Sequence, residues 1–185
     1  VMNDSVEQTL APELVGYTKN EADSHVVALV KDGQRVETLS AGESGKLIVD
    51  ITPFYAEKGG QVGDTGAFTN ASASVCVTNT HEPEKGLIAH DITVEDGQIA
   101  VGDELHAVID VPRRERIRRN HTATHILHWA LRQVLGDHVK QAGSFVGDSR
   151  LRFDFTHFEA TTPEQVAEVE RLANEKIMEN HAVRA

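Results

Sequence analysis

Residues 111–136 read "VPRRERIRRNHTATHILHWALRQVLG", and the pattern of the chain changes here. Pro112 suits the first turn of a helix, where a missing N–H costs no hydrogen bond. Gly136 suits a C-terminal cap. Between them Ile126, Leu127, Ala130, Leu131 and Val134 recur at helical spacing and supply the packing faces. At about 100° per residue, His125 falls about 40° from His121, Thr124 about −60° and His128 about −20°. These four share one stripe. Arg114 and Arg118 fall on the same side, while Arg116 and Arg119 point away. The stretch reads as a helix with a polar, metal-capable face preceded by positive charge.

Upstream of Pro112 the chain is a series of short alternating or apolar runs broken by turn residues. "HVVALVKDGQRVETLS" reads as two strands around Asp32-Gly33, a hairpin signal. "GKLIVDI", "ASVCVTNT", "LIAHDITV" and "ELHAVIDV" read as further strands, and together they predict a small β-barrel or sandwich. Downstream, "VKQAGSFV" and "RLRFDFTH" predict two strands joined at Gly147-Asp148. Leu151, Phe153 and Phe155 lie on one face of the second strand. Thr162 is the expected N-cap of a last helix reaching about residue 180. The expected fold class is α+β: a small β-barrel over residues 1–111, then a helix–β-hairpin–helix unit over 112–185.

The composition narrows the function. The chain has 185 residues and a formal net charge of −11, which argues against general affinity for nucleic acid. The charge is local, however: Arg113, Arg114, Arg116, Arg118 and Arg119 crowd the start of the expected helix. No run approaches the roughly 20 apolar residues of a membrane span, so no membrane is expected as a partner. The first residues lack the basic start and apolar run of a signal peptide. The single cysteine, Cys76, forms no internal disulfide and fits a reducing, cytoplasmic setting. Beginning with Val1 fits a cut from a longer polypeptide.

The histidine pair has two readings. His121 and His125 are two ligands of a zinc site, which wants four in all, or they are surface or core histidines. Metalloprotease chemistry needs Glu after the first His, and Thr122 stands there. His128 is a third ligand or a spare. No Ser-His-Asp or Cys-His set points to covalent catalysis, and neither a P-loop nor a GxGxxG motif occurs. In "EKGGQVGDTG", the glycines allow tight turns and close backbone approach, either to close the barrel or to meet a ligand.

"NHTATHILHWALRQVLG", followed by "QAGSFV" and "LRFDFTH", resembles the editing domain of the alanyl-tRNA synthetase family. "TPFYAEKGGQVGDTG" at residues 52–66 is similar to the glycine-rich motif of that family's preceding β-barrel. The likeness covers nearly the whole chain. It implies that His121 and His125 bind zinc together with a Cys and a His of a later CxxxH motif. That motif is absent here, and Cys76 reads as a small buried strand residue. The resemblance therefore implies a half-site and an excerpt that stops before the remaining ligands. It further implies that ATP and magnesium belong to a catalytic domain upstream.

The activity implied is hydrolysis of the ester that joins serine or glycine to tRNA(Ala). An apolar pocket rejects an added hydroxyl only weakly, so a second site that hydrogen-bonds the hydroxyl is useful. Thr124 and Gln141 are the residues expected to act on the substrate. Their plainer readings are a hydroxyl bonded back to its own helix and an exposed strand residue. Gly59, Gly60 and Gln61 are expected to meet the terminal adenosine. Arg114 and Arg118 are expected on phosphates of the acceptor end. Two other readings stand beside this one: a free-standing deacylase of the same family and a non-catalytic tRNA-binding module. The threonyl-tRNA synthetase editing domain shares a similar helix but not the glycine-rich barrel motif.

Overall fold

The computed structural model describes residues 12–182. The outermost ends of both expected domains, residues 1–11 and 183–185, lie outside the described residues. The chain forms two compact units. One contains the described residues up to Lys58 together with Val62–Arg114; the other contains Gly59–Gln61 and the residues from Glu115 onward.

The first unit is all β. Its strands are β1 (Glu13–Leu14), β2 (Glu21–Lys31), β3 (Gln34–Val36), β4 (Thr38–Ser40), β5 (Ser44–Val49), β6 (Ile51–Thr52), β7 (Gly66–Thr69), β8 (Ser74–Glu84), β9 (Leu87–Asp96), β10 (Gln98–Ala100) and β11 (Glu104–Ile109). The main sheet runs β11-β7-β8-β9-β5-β2-β3, and β11 also pairs with β2. That last pairing, antiparallel from Glu104↔His25 to Val108↔Glu21, closes six strands into a barrel and removes the open sheet edges. The β2–β3 hairpin turns at Asp32 (φ 52°) and Gly33 (φ 78°), as the Asp-Gly signal requires.

Alternation fills the barrel. Val75 and Val77 on β8 point inward, as do Ile92 and Val94 on β9; with Leu29, Leu47, Val49, Phe68 and Leu105 they are almost fully buried. His90 lies in phase with Ile92 and Val94 and is fully buried among them. Its ring meets Phe54 and Phe68 edge-on, each at 5.2 Å between centroids. The Leu47 carbonyl lies 2.9 Å from Nδ1 and can only accept, so Nδ1 carries the proton. Nε2 then accepts from the Thr52 hydroxyl at 2.8 Å. Burial draws this imidazole down to about 4 from its ordinary 6.5.

The helix α1 (Val111–Leu135) begins with Asp110 as cap: its carboxylate accepts the Arg113 N–H at 2.9 Å. The first turn of α1 holds no acid, so this carboxylate meets the positive end of the helix dipole ahead of the arginines. Gly136, at φ 110°, ends the helix as expected.

The second unit then adds β12 (Gln141–Val146), β13 (Leu151–Phe155) and α2 (Pro163–Met178). The two strands form the expected hairpin, closed by the Gly147 N–H on the Arg150 carbonyl at 3.0 Å. Thr162 caps α2 in a reciprocal capping box with Gln165. The small core joins Ala130, Leu131 and Val139 to Val169, with Leu127, Val134, Phe153, Phe155 and Leu172 around them. The α+β architecture of barrel, helix, hairpin and helix is the one the sequence predicts.

Candidate functional site

Most of the expected site residues collect in the second unit. His121 and His125, one helical turn apart on α1, stack their rings at 5.1 Å with 20° between planes. Burial, and next the neighbouring His125, draw the His121 imidazole below its ordinary value. Gln61 reaches His121: its Oε1 lies 2.6 Å from Nδ1. Gln61 is held there by the β12 edge. The Gly60 carbonyl accepts the Val146 N–H at 2.8 Å, and Gln61 bridges Val146 in parallel register.

Gly60 is required by that approach. It sits at φ +87°, and a Cβ on it would lie 2.4 Å from the Ser144 carbonyl oxygen, inside contact distance. Ser144 ties the loop to the strand. Its hydroxyl donates to the Gly59 carbonyl at 3.4 Å and accepts from Gln141 Nε2 at 3.2 Å. Gly59, Gly60, Gln61, Gln141 and the histidine pair thus form one connected set. Ser144, its hub, was not singled out from the sequence, where only its place three residues after Gln141 could have marked it.

Thr124 is buried at 6% exposure, and its hydroxyl donates to the Asn120 carbonyl at 2.8 Å. This is the helix back-bond of its plainer reading; the oxygen keeps lone pairs for a further donor. Asn120 in turn donates to the Gly147 carbonyl at 2.8 Å, fastening α1 to the hairpin turn. His128 packs on Phe153 at 5.0 Å, as a spare histidine would. Among the described residues no group of three or more His, Cys, Asp and Glu is placed to hold a metal. Cys76 is half-buried on β8.

The two arginines part. Arg118 is 69% exposed in its side chain, with Glu115 at 2.9 Å. Arg114 belongs to the other unit and is 11% exposed against Asp64 at 3%. Its Nε donates to Asp64 at 2.8 Å, and its terminal nitrogens donate to the Gly16 carbonyl at 2.9 Å and the Pro53 carbonyl at 3.1 Å. That guanidinium is engaged by the protein itself.

Trp129, also not singled out from the sequence, is 38% exposed and lines two clefts. One, of about 300 Å³, is lined by His125, His128, Trp129 and Arg132. The other, of about 320 Å³, is lined by Thr122, His125, Ile126, Trp129 and Lys176. Lys176 Nζ stands 5.6 Å from the indole centroid. The helix arithmetic holds the signal: Trp129 falls about 80° from His121, beside His125 and outside the packing arc.

Residues 2–113 match the family "tRNA synthetases class II (A)", and the chain belongs to that family. It is 51% identical over 177 residues to the alanine–tRNA ligase of Rhodopseudomonas palustris, a match covering 96% of this chain and 20% of that protein. To the alanine–tRNA ligase of Acetivibrio thermocellus it is 48% identical over 178 residues, with the same two shares. To that of Chlamydia caviae it is 45% identical over 171 residues, covering 92% of this chain and 20% of the relative. The chain therefore spans about a fifth of the length of the curated relatives it matches. Among the described residues no helix is long and apolar enough to cross a membrane.

Proposed function

We propose that this chain carries the editing site of an enzyme that attaches alanine to tRNA(Ala), where serine or glycine esters of that tRNA are hydrolysed. The observation that carries the reading is the Gln61–His121–His125 arrangement, joined through Ser144 to Gln141. The family assignment supplies tRNA as the substrate class.

Zinc fits the two histidines. A metal ligand must be a neutral imidazole, and His121 is drawn toward that state. Its Nδ1 is engaged by Gln61, which leaves Nε2 for a cation. Bound there, zinc would polarise the ester carbonyl or hold the aminoacyl group. Two imidazoles are half of a tetrahedral set, so this chain alone binds zinc weakly and a Cys and a His from elsewhere complete the site.

Water is the nucleophile. Its oxygen attacks the ester carbonyl carbon, the bond to the ribose oxygen breaks, and the ribose oxygen leaves with a proton. Thr124 reads the side chain: its hydroxyl hydrogen is held by Asn120, so its oxygen accepts from a seryl hydroxyl. Gln141 and the backbone of Gly59 and Gly60 border the aminoacyl end. Arg118 meets backbone phosphate, and Trp129 offers an indole face on which a terminal base stacks. The test compares release of serine and alanine from their esters with tRNA(Ala) by an alanine–tRNA ligase that carries this segment together with the remaining ligands. Faster release of serine is expected; equal rates would refute the reading.

A further inference from the structure

We infer that Gln61 sets the tautomer and ring orientation of His121, so that the glycine-rich loop presents the His121 Nε2 lone pair outward. That this lone pair serves zinc rests on the proposed function; the tautomer assignment does not.

An amide oxygen only accepts. With Gln61 Oε1 at 2.6 Å, the proton of a neutral His121 must sit on Nδ1. An imidazole without such a partner favours the proton on Nε2, which would cover the lone pair. Histidines that bind metals commonly donate their other ring N–H to a protein oxygen, which fixes the tautomer and orientation and raises basicity. Gln61 stands in that relation to His121.

The loop is shaped for this task. Gly59 and Gly60 take φ values of +61° and +87°, which L side chains rarely adopt. The contact of Gly60 with Ser144 leaves no room for a Cβ. Val146 fixes the loop on the strand side. Two glycines thus make the turn and the next residue reaches the ring. His125, stacked at 5.1 Å, confines the same ring on its face. The chemistry of the motif is therefore divided: the glycines place the backbone, and Gln61 acts on a side chain rather than on substrate. Gln61 is a positioning residue.

The test is imidazole ¹⁵N NMR on the metal-free chain at a pH where its imidazoles are neutral. His121 is expected with its proton on Nδ1 in the wild type. Gln61→Glu, which keeps an acceptor, should retain that form. Gln61→Leu should move the proton chiefly to Nε2 and weaken zinc binding, read by titration, by about 10- to 100-fold. An Nε2–H form in the wild type, as when the Gln61 amide is turned to donate, would overturn the inference. So would an unchanged tautomer in Gln61→Leu, and equal zinc affinity would overturn its metal-directed part. Absence of serine-ester hydrolysis by the ligase that carries the completed site would count against the proposed function and leave the tautomer result readable by itself.

Discussion

Asp64 and Arg114, 50 residues apart in the chain, form a buried ion pair within the first unit. Asp64 also accepts the Tyr55 N–H at 2.7 Å, so the pair binds three segments: the start of α1, the glycine-rich motif and residues 53–55. Removing one partner leaves a buried charge unmatched, which costs about 3–5 kcal/mol. Asp64→Asn should lower the urea midpoint accordingly, and Arg114→Lys should also destabilise, because an ammonium cannot reproduce the fork. Arg118→Ala, at an exposed site, should change stability by less than about 0.5 kcal/mol. Equal midpoints for Asp64→Asn and Arg118→Ala would contradict the assignment.

His90 makes the barrel sensitive to acid. Its folded value of about 4 lies below the ordinary 6.5, so between these two the unfolded chain binds more protons. The contribution is complete above the unfolded value, falls as pH drops toward the folded one, and is then lost; it amounts to about 3 kcal/mol. His81 and Asp91 are the titratable groups that bear on it. Urea unfolding across this window should show a shallower pH slope for His90→Gln, whose amide can serve both Leu47 and Thr52. An unchanged slope would show that His90 is not the group responsible.

Trp129 and Arg118 should affect RNA differently. Stacking of a base on an aromatic ring is worth roughly 1–3 kcal/mol, so Trp129→Ala should weaken binding of a tRNA acceptor end about tenfold or more. Trp129→Phe should recover part of that. Arg118→Ala should instead reduce the salt dependence by about one counterion. Fluorescence titrations over a salt series separate the two, and full affinity in Trp129→Ala would remove the indole from the binding surface.

Thr124→Val tests reading of the seryl hydroxyl. The side chains are close in shape, and the Asn120 carbonyl loses only a side-chain bond, so stability should change by less than about 1 kcal/mol. The ratio of serine-ester to alanine-ester hydrolysis should fall. An unchanged ratio would assign discrimination to another residue.

The sequence carried local structure well. Asp32-Gly33 announced its hairpin, Thr162 its helix, and the switch at Pro112 the change from β to α. His90 was not singled out, although its place in phase with Ile92 and Val94 could have marked it as a buried strand residue. What local pattern could not show were the long-range partners. Barrel closure depends on β11 meeting β2, and the fate of Arg114 on Asp64. Helix arithmetic put Arg114 on the histidine side, but a long, flexible arginine side chain turns to whichever partner the fold supplies, here Asp64. In the same way Gln61 looked like part of a substrate loop because nothing in the motif reveals that it ends beside His121.

The most direct measurement places this segment in the matching position of the Rhodopseudomonas palustris alanine–tRNA ligase, 51% identical over 177 residues. Attachment of alanine to tRNA by the chimera reports that it folds. Hydrolysis of serine-esterified tRNA(Ala) is then followed with the unaltered segment and with His121→Ala and His125→Ala. The account predicts that both variants keep alanine attachment and lose serine release by at least about 100-fold, the scale of removing a catalytic electrostatic group. Serine release undiminished in both variants would contradict it.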